Sequence, residues 1–173
     1  MIPPKRRNSK YRKDRLSEIL SITDYNCKQL EANLGIGIEH YGTKGRGVKA
    51  TDLIEKGNFV VEYSGELIQG TDKCKEREEF YERYPSFGSY MYFFRFNQKR
   101  YCLDAIAESP RLGRLINDSK ASANLKGTII RDNNNQPRLI FVAKRNIKVG
   151  EELVYNYADG RKKTEELFPW LKQ

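Results

Sequence analysis

Two tyrosines placed two apart, Tyr155 and Tyr157, follow a turn at Gly150-Glu151-Glu152. In a strand, that spacing sets both phenols on one face. About thirty-five residues earlier, Arg111-Leu-Gly-Arg-Leu-Ile-Asn117-Asp118-Ser119 is an apolar run that stops at small polar side chains. Two hydroxyls aimed into one space beside an amide describe a lined pocket that can orient a polar group; a half-buried strand with ordinary core tyrosines has the same spacing. Gly42-Thr-Lys44-Gly45-Arg46-Gly47-Val48 offers a second chemistry, because closely spaced glycines let backbone N–H groups approach a ligand and two cations accompany them. That composition suits an anion or nucleotide loop, and a tight hairpin turn shares it. It is neither a Walker loop nor a GxGxxG fingerprint.

The elements that must position these residues read as short strands with few helices. Leu34-Gly-Ile36-Gly-Ile38 alternates apolar residues with glycine, as a strand closely approached by a neighbour would. Asn58 to Tyr63 is a strand entering a turn at Gly65, and 71–85 is a helix with Thr71 as its cap, Phe80, Tyr81 and Tyr84 as a narrow apolar face, and Pro85 as its stop. Such a helix belongs at the edge of the domain. Ser89 to Phe96 and Tyr101 to Asp104 flank a polar turn and form an aromatic hairpin; Thr128 to Arg131 and Leu139 to Ala143 form a second around Asp132-Asn-Asn-Asn-Gln. The expected class is mainly β, a β-rich α+β fold with few short peripheral helices.

At 173 residues the chain is long enough for one domain with its own core. Residues 1–13 read as a basic flexible arm, 14–33 as a flanking helical segment from the spacing of Leu16, Ile19 and Leu20, 34–158 as the globular domain, and 159–173 as a C-terminal flanking segment with a short helix and Trp170. Of the formal charge of +9, residues 1–15 carry +6, seven cations against Asp14. A basic arm before a nearly balanced domain fits a segment that neutralises phosphates, and a solvated terminus fits equally. Cys27, Cys74 and Cys102 lack metal-ligand spacing and are expected as separate reduced thiols, with no structural zinc. No apolar run is long enough to span a bilayer, so a soluble protein is expected.

Gly45-Arg46-Gly47-Val48, Val61-Glu62-Tyr63-Ser64-Gly65-Glu66, Leu115-Ile116-Asn117-Asp118-Ser119 and Gly150-Glu151-Glu152-Leu153-x-Tyr155-Asn156-Tyr157 stand in one order along the chain. That series resembles the SET-domain protein lysine methyltransferases over about residues 35–171. Within the family it is most similar to the group that monomethylates lysine twenty of histone H4, through Ser89 to Phe94, Arg111 to Asn117 and the ending Phe168-Pro-Trp170-Leu-Lys. The resemblance implies short β-sheets with a pseudoknot, the Asn117 segment threading under the loop to Tyr157, and no metal.

It also implies transfer of a methyl group from S-adenosylmethionine to a lysine amine, leaving S-adenosylhomocysteine. By similarity, Lys44, Gly45 and Arg46 hold the methionine end of the cofactor, Tyr90, Asn117 and Asp118 add polar contacts, and Trp170 covers the adenine. Tyr63, Tyr155 and Tyr157 line the lysine channel, with Tyr157 the catalytic tyrosine. A lysine with a pKa of about 10.4 arrives protonated, and a desolvated aromatic channel beside a sulfonium favours the neutral amine. Tyr155 occupies a position held by phenylalanine or tyrosine in the family, and its hydroxyl implies monomethylation. Asp118 departs from the family's Asn-His-Ser or Asn-His-Cys.

The partners so implied are the histone H4 tail and the nucleosome, with DNA contacted by the basic arm, no membrane, and a monomeric chain located on chromatin in the nucleus. Two alternatives remain open: a SET-fold chromatin-binding module that catalyses little because of Asp118, and a methyltransferase for a nonhistone lysine.

Overall fold

The structure is a computed structural model that describes residues 35–84, 90–132 and 134–157. The expectations for the basic arm, the 14–33 helix, Trp170 and the 159–173 segment fall outside the described residues.

Among the described residues, three small sheets form the fold. The first contains β1 (Ile36–His40), β2 (Arg46–Ala50), β7 (Asn117–Asp118) and β10 (Glu152–Tyr155), in the order β1-β2-β10-β7. The second places β9 (Pro137–Ala143) between β3 (Phe59–Tyr63) and β8 (Leu125–Arg131), and the third places β6 (Lys99–Asp104) between β4 (Glu66–Gln69) and β5 (Met91–Phe96). Inward-facing residues of the strands meet in one core around Val48, Val60, Leu139, Phe141, Ile147 and Leu153, all fully buried.

Both expected hairpins form. The β5–β6 turn uses Asn97 and Gln98 at φ 48° and 63°, the positive pair that a two-residue turn matched to strand twist requires. The glycine-rich stretch divides differently from the expected single turn: Gly42–Lys44 is one turn of 3-10 helix, and Gly47 and Val48 already belong to β2. Gly47 is needed for closeness, since a Cβ there would lie 2.6 Å from Asn117 Nδ2.

The helix α1 (Thr71–Arg83) lies at the edge as expected, with two corrections. Its N-cap is Gly70 at φ 108°, and Thr71 is its first residue and makes no side-chain cap. Cys74 and Tyr81 face inward, whereas Phe80 and Tyr84 are exposed, because the Tyr81 hydroxyl is drawn 2.5 Å from the buried Asp104 carboxylate. Cys74 and Cys102, expected as separate thiols, are free and buried in one small cluster with Ile68, and the Cys74 thiol donates to Ile68 O at 3.6 Å. Strand β4 had no sequence signal of its own; it forms by pairing Glu66–Gln69 against Tyr101–Asp104.

Among the described residues no helix is long and apolar enough to cross a membrane, and no group of three or more His, Cys, Asp or Glu is placed to hold a metal ion.

Candidate active site

Strand β10 carries the site because its two edges are held by distant parts of the chain. One edge pairs antiparallel with β2 at Leu153↔Val48; the other pairs parallel with β7 at Val154↔Asn117 and Tyr155↔Asp118. The Ser119 N–H donates to Tyr155 O (3.0 Å), and the fully buried Asn124 exchanges hydrogen bonds with Val154 through both its side chain and main chain (2.9 and 3.0 Å). The two opening segments are thus side by side, the arrangement that a pseudoknot requires.

Just before β7, the run read as apolar folds into a 3-10 turn at Leu112–Leu115. Gly113 sits against β3 so tightly that a Cβ would fall 2.1 Å from the Glu62 carbonyl. The turn is flanked by two buried cations. Arg111 reaches Glu62 at 3.5 Å, while Arg114 donates to the carbonyls of Ala105 (2.7 Å) and Ile106 (3.0 Å) and stacks 4.5 Å from the Tyr90 ring centroid. Arg114 is held by these contacts as a rigid support, whereas Arg111 keeps its Nε buried without a hydrogen-bond partner.

The three channel tyrosines come together. Tyr155 and Tyr157 have ring centroids 4.5 Å apart, although not as strand neighbours: β10 ends at Tyr155, and Tyr157 lies past it, where Asp118 Oδ1 accepts its main-chain N–H at 2.8 Å. The Tyr157 hydroxyl donates to Ile116 O at 2.9 Å, and the Tyr63 hydroxyl donates to Tyr90 O at 2.7 Å. Tyr63 and Tyr155 are buried, whereas Tyr157 is 43% exposed and forms the mouth. Phe141 packs 4.6 Å from Tyr155, and Tyr92 lies 6.1 Å from Tyr63 and 6.3 Å from Tyr155. The motif reading missed both residues. Tyr92 was visible only as an alternate aromatic of β5, and Phe141 is an ordinary position in an apolar strand.

Burial pushes all three phenols upward, Tyr157 to about 12 with the Asp118 charge adding to the effect. At neutral pH they are uncharged, so the cage presents hydroxyl dipoles and ring faces to whatever enters.

On the other side of β10 lies the loop end of the site. Asn117 Nδ2 donates to Glu152 Oε1 at 3.0 Å, and Lys44 Nζ donates to Glu152 Oε2 at 3.1 Å, so one carboxylate joins two residues that were expected to bind the same ligand. Arg46 pairs with Glu108 at 2.5 Å, and Glu108 also meets Arg114 at 2.9 Å. Gly45, at φ 78° and with nothing within 4 Å of a Cβ position, leaves the loop open. Glu152 and Glu108 were not singled out from the sequence, since acids in a turn and a loop are ordinarily solvated. Of the expected residues, Lys44, Arg46 and Asn117 are joined here, with Gly45 between the two cations, while Asp118 is turned to the Tyr157 N–H. Tyr90 stands between it and the cage through its contacts with Arg114 and Tyr63. Asn117 and Asp118, adjacent in β7, connect a mixed-charge cleft to an aromatic cage: one end can hold a zwitterion, and the other can hold a cationic or alkyl group.

Comparison with known proteins gives the same answer. The family described as SET domain matches residues 45–158. The N-lysine methyltransferase KMT5A of Xenopus tropicalis is 51% identical over 138 residues, 80% of this chain and 40% of its own length. The histone-lysine N-methyltransferase set-1 of Caenorhabditis elegans is 45% identical over 128 residues, 74% of this chain and 52% of its own. The chain thus spans about 40% to half the length of these relatives. Among solved structures, CpSET8 from Cryptosporidium superposes with a TM-score of 0.72 at 36% identity, covering 92% of this chain and 70% of that one. The complex ctPRC2 in an autoinhibited conformation bound to S-adenosylmethionine gives 0.58 at 34% identity over 76% of this chain and 16% of that one. On the match of residues 45–158 and the strand-threaded tyrosine site, the chain belongs to the SET-domain family.

Proposed function

We propose that the chain is the catalytic domain of a nuclear histone lysine N-methyltransferase that uses S-adenosylmethionine to place one methyl group on a lysine of histone H4 in nucleosomes. The observation that carries this reading is the meeting of the tyrosine cage and the mixed-charge cleft along Ile116–Asp118.

The residues present fit the cofactor. Its amino-acid end carries a carboxylate and an ammonium group, and the cleft offers Lys44 and Arg46 against Glu152 with the Asn117 amide between them. Gly45 keeps the loop free of side chains where a ligand must approach the backbone, and Gly47 lets Asn117 and Tyr41 close in beneath it. When bound, the cofactor supplies a methyl group activated by attachment to a sulfonium. Trp170, beyond the described residues, remains the proposed cover for the adenine.

The protein's own contribution is orientation and desolvation. Tyr63, Tyr155 and Phe141 remove water from the lysine amine, which favours its neutral form. The Tyr157 hydroxyl directs its O–H to Ile116 O in a hydrogen bond, so its oxygen lone pairs are left to face polarised C–H groups. A phenol displaced to about 12 is a poor base at neutral pH, so Tyr157 orients and stabilises, and the proton of the arriving ammonium is lost to solvent. The Tyr155 hydroxyl occupies cage volume that a methylated amine would need, which supports monomethylation.

Asp118 in place of the family's histidine is accommodated by a hydrogen bond to Tyr157, which favours an active enzyme over a binding module. The arm at residues 1–15, with its charge of +6, is the proposed DNA contact, and a monomer acting on nucleosomes is the proposed form. The test is transfer of labelled methyl from S-adenosylmethionine to recombinant nucleosomes and to free H4 peptide at two salt concentrations. Preference for nucleosomes that collapses with salt, or on deletion of residues 1–15, supports the reading; equal rates on both substrates oppose the DNA contact, and no transfer to either opposes the enzyme.

A further inference from the structure

We infer that Asp118 is a positioning residue that clamps the backbone of Tyr157 and supplies a fixed negative charge selecting the cationic cofactor over its neutral product. This inference rests on the methyltransferase reading.

The clamp is geometric. The parallel ladder between β7 and β10 ends at the pair Tyr155↔Asp118, so the Tyr157 N–H has no strand residue opposite it. Asp118 Oδ1 takes that N–H at 2.8 Å, one side chain standing in for another residue of strand. The hydroxyl of the same tyrosine is bound to Ile116 O at 2.9 Å. Tyr157 is therefore fixed at its backbone and at its ring tip by a segment of three residues, Ile116–Asp118. The phenol oxygen can shift only if that segment shifts.

The charge is available. Asp118 is exposed at the mouth of the cage, and among the described residues no lysine or arginine is ion-paired with it. Behind the larger effect of burial, its charge adds to the upward displacement of Tyr157 and, only weakly, to that of Tyr155. A ligand that spans from the Asn117 cleft to the cage runs along the segment that bears this carboxylate. In the transfer, the amine lone pair forms the new C–N bond while the C–S pair returns to sulfur; the charge leaves sulfur, and the ammonium proton has gone to solvent. Substrate cofactor is cationic at sulfur and product is neutral there, so a nearby carboxylate holds the first more tightly and assists release of the second. An uncharged or cationic side chain at this position would lack that preference.

The two roles separate by substitution. Asp118→Asn keeps an acceptor for the Tyr157 N–H and removes the charge; Asp118→Ala removes both. Affinities for S-adenosylmethionine and S-adenosylhomocysteine are measured by calorimetry on the intact chain, alongside kcat. In both variants the preference for the sulfonium should fall by about three- to tenfold, the scale of one unit charge acting through a partly solvated gap. The kcat should fall about tenfold or more in Asp118→Ala, as expected when one positioning contact is lost, and clearly less in Asp118→Asn, which keeps the acceptor. The wild-type preference should also weaken as salt is raised, a measurement that needs no variant. A preference unchanged in both variants and insensitive to salt overturns the charge role, and an undiminished kcat in Asp118→Ala overturns the clamp. If the wild-type chain binds neither ligand, the methyltransferase reading fails together with this inference; if it binds both with an unaltered ratio, only the inference fails.

Discussion

The hydroxyl of Tyr157 donates to the main-chain carbonyl of Ile116 across 2.9 Å, tying the tip of a residue at the end of β10 to the residue that leads into β7. The donor is thereby used up, and only lone pairs are left to face the cage. Tyr157→Phe keeps the ring and its 4.5 Å packing on Tyr155 but removes that oxygen. The kcat for methyl transfer should fall by about 100-fold or more, the scale of deleting one preorganised polar group, while KM changes little. Steady-state rates on nucleosomes check this; a fall in kcat of less than about threefold would remove Tyr157 from the chemistry.

Tyr155 is buried between Phe141 and Tyr157, with Tyr92 beside it. Tyr155→Phe preserves those ring contacts and vacates the space of one hydroxyl. The variant should yield dimethyl-lysine where the parent stops at one methyl, with the total rate within about tenfold. Mass spectrometry of the product distinguishes the two; an unaltered methyl count means that Tyr155 does not set it.

The caged phenols give a pH signature. Each is held above the ordinary tyrosine value of about 10, Tyr157 at about 12, so each binds its proton more tightly folded than unfolded. Their contribution to stability is complete below pH 10; that of Tyr157 is lost as pH rises through 12, and those of Tyr63 and Tyr155 persist to higher pH. In an alkaline titration followed by tyrosinate absorbance, part of the eleven tyrosines should ionise near pH 10 and the rest only as the protein unfolds. A single step near 10, with the fold intact, would contradict the buried cage.

Glu62 is buried under two guanidinium groups, bound by Arg138 at 2.5 and 2.9 Å and approached by Arg111 at 3.5 Å. Glu62→Gln takes the counter-charge from Arg111 and leaves Arg138 the more distant Asp132 at 3.8 Å, below the turn that sets Asn117. We expect a loss of about 2–4 kcal/mol in urea unfolding, in the range for breaking a buried pair from one side. A change below about 0.5 kcal/mol would show the cluster to be structurally idle.

How much was legible varied with the range of the interaction. The β5–β6 and β8–β9 hairpins were visible because alternation and turn residues are local signals. Strand β4 was not, because Leu67 and Ile68 are its only apolar residues and its partner lies beyond α1. The cap of α1 was placed one residue late, since Gly70 caps by its backbone at φ 108° and offers no side chain to recognise. Period two predicted that Tyr155 and Tyr157 would meet, and they do, through a different cause: the chain leaves β10 after Tyr155, and Asp118 redirects it. Pairing of β7 with β10 is too distant along the chain for any local pattern, and only the family resemblance indicated it. Glu152, Glu108, Tyr92 and Phe141 sit at unexceptional positions and become site residues only when the sheets assemble.

The central claim is that the cage joined to the Asn117 cleft transfers one methyl group to a histone H4 lysine. The direct measurement is tandem mass spectrometry of H4 recovered from nucleosomes incubated with the chain and S-adenosylmethionine, beside Tyr157→Phe. The expected result is a single lysine carrying a single methyl group, absent with the variant. Cofactor binding without any methylated lysine, or methylation that persists undiminished in Tyr157→Phe, would contradict it.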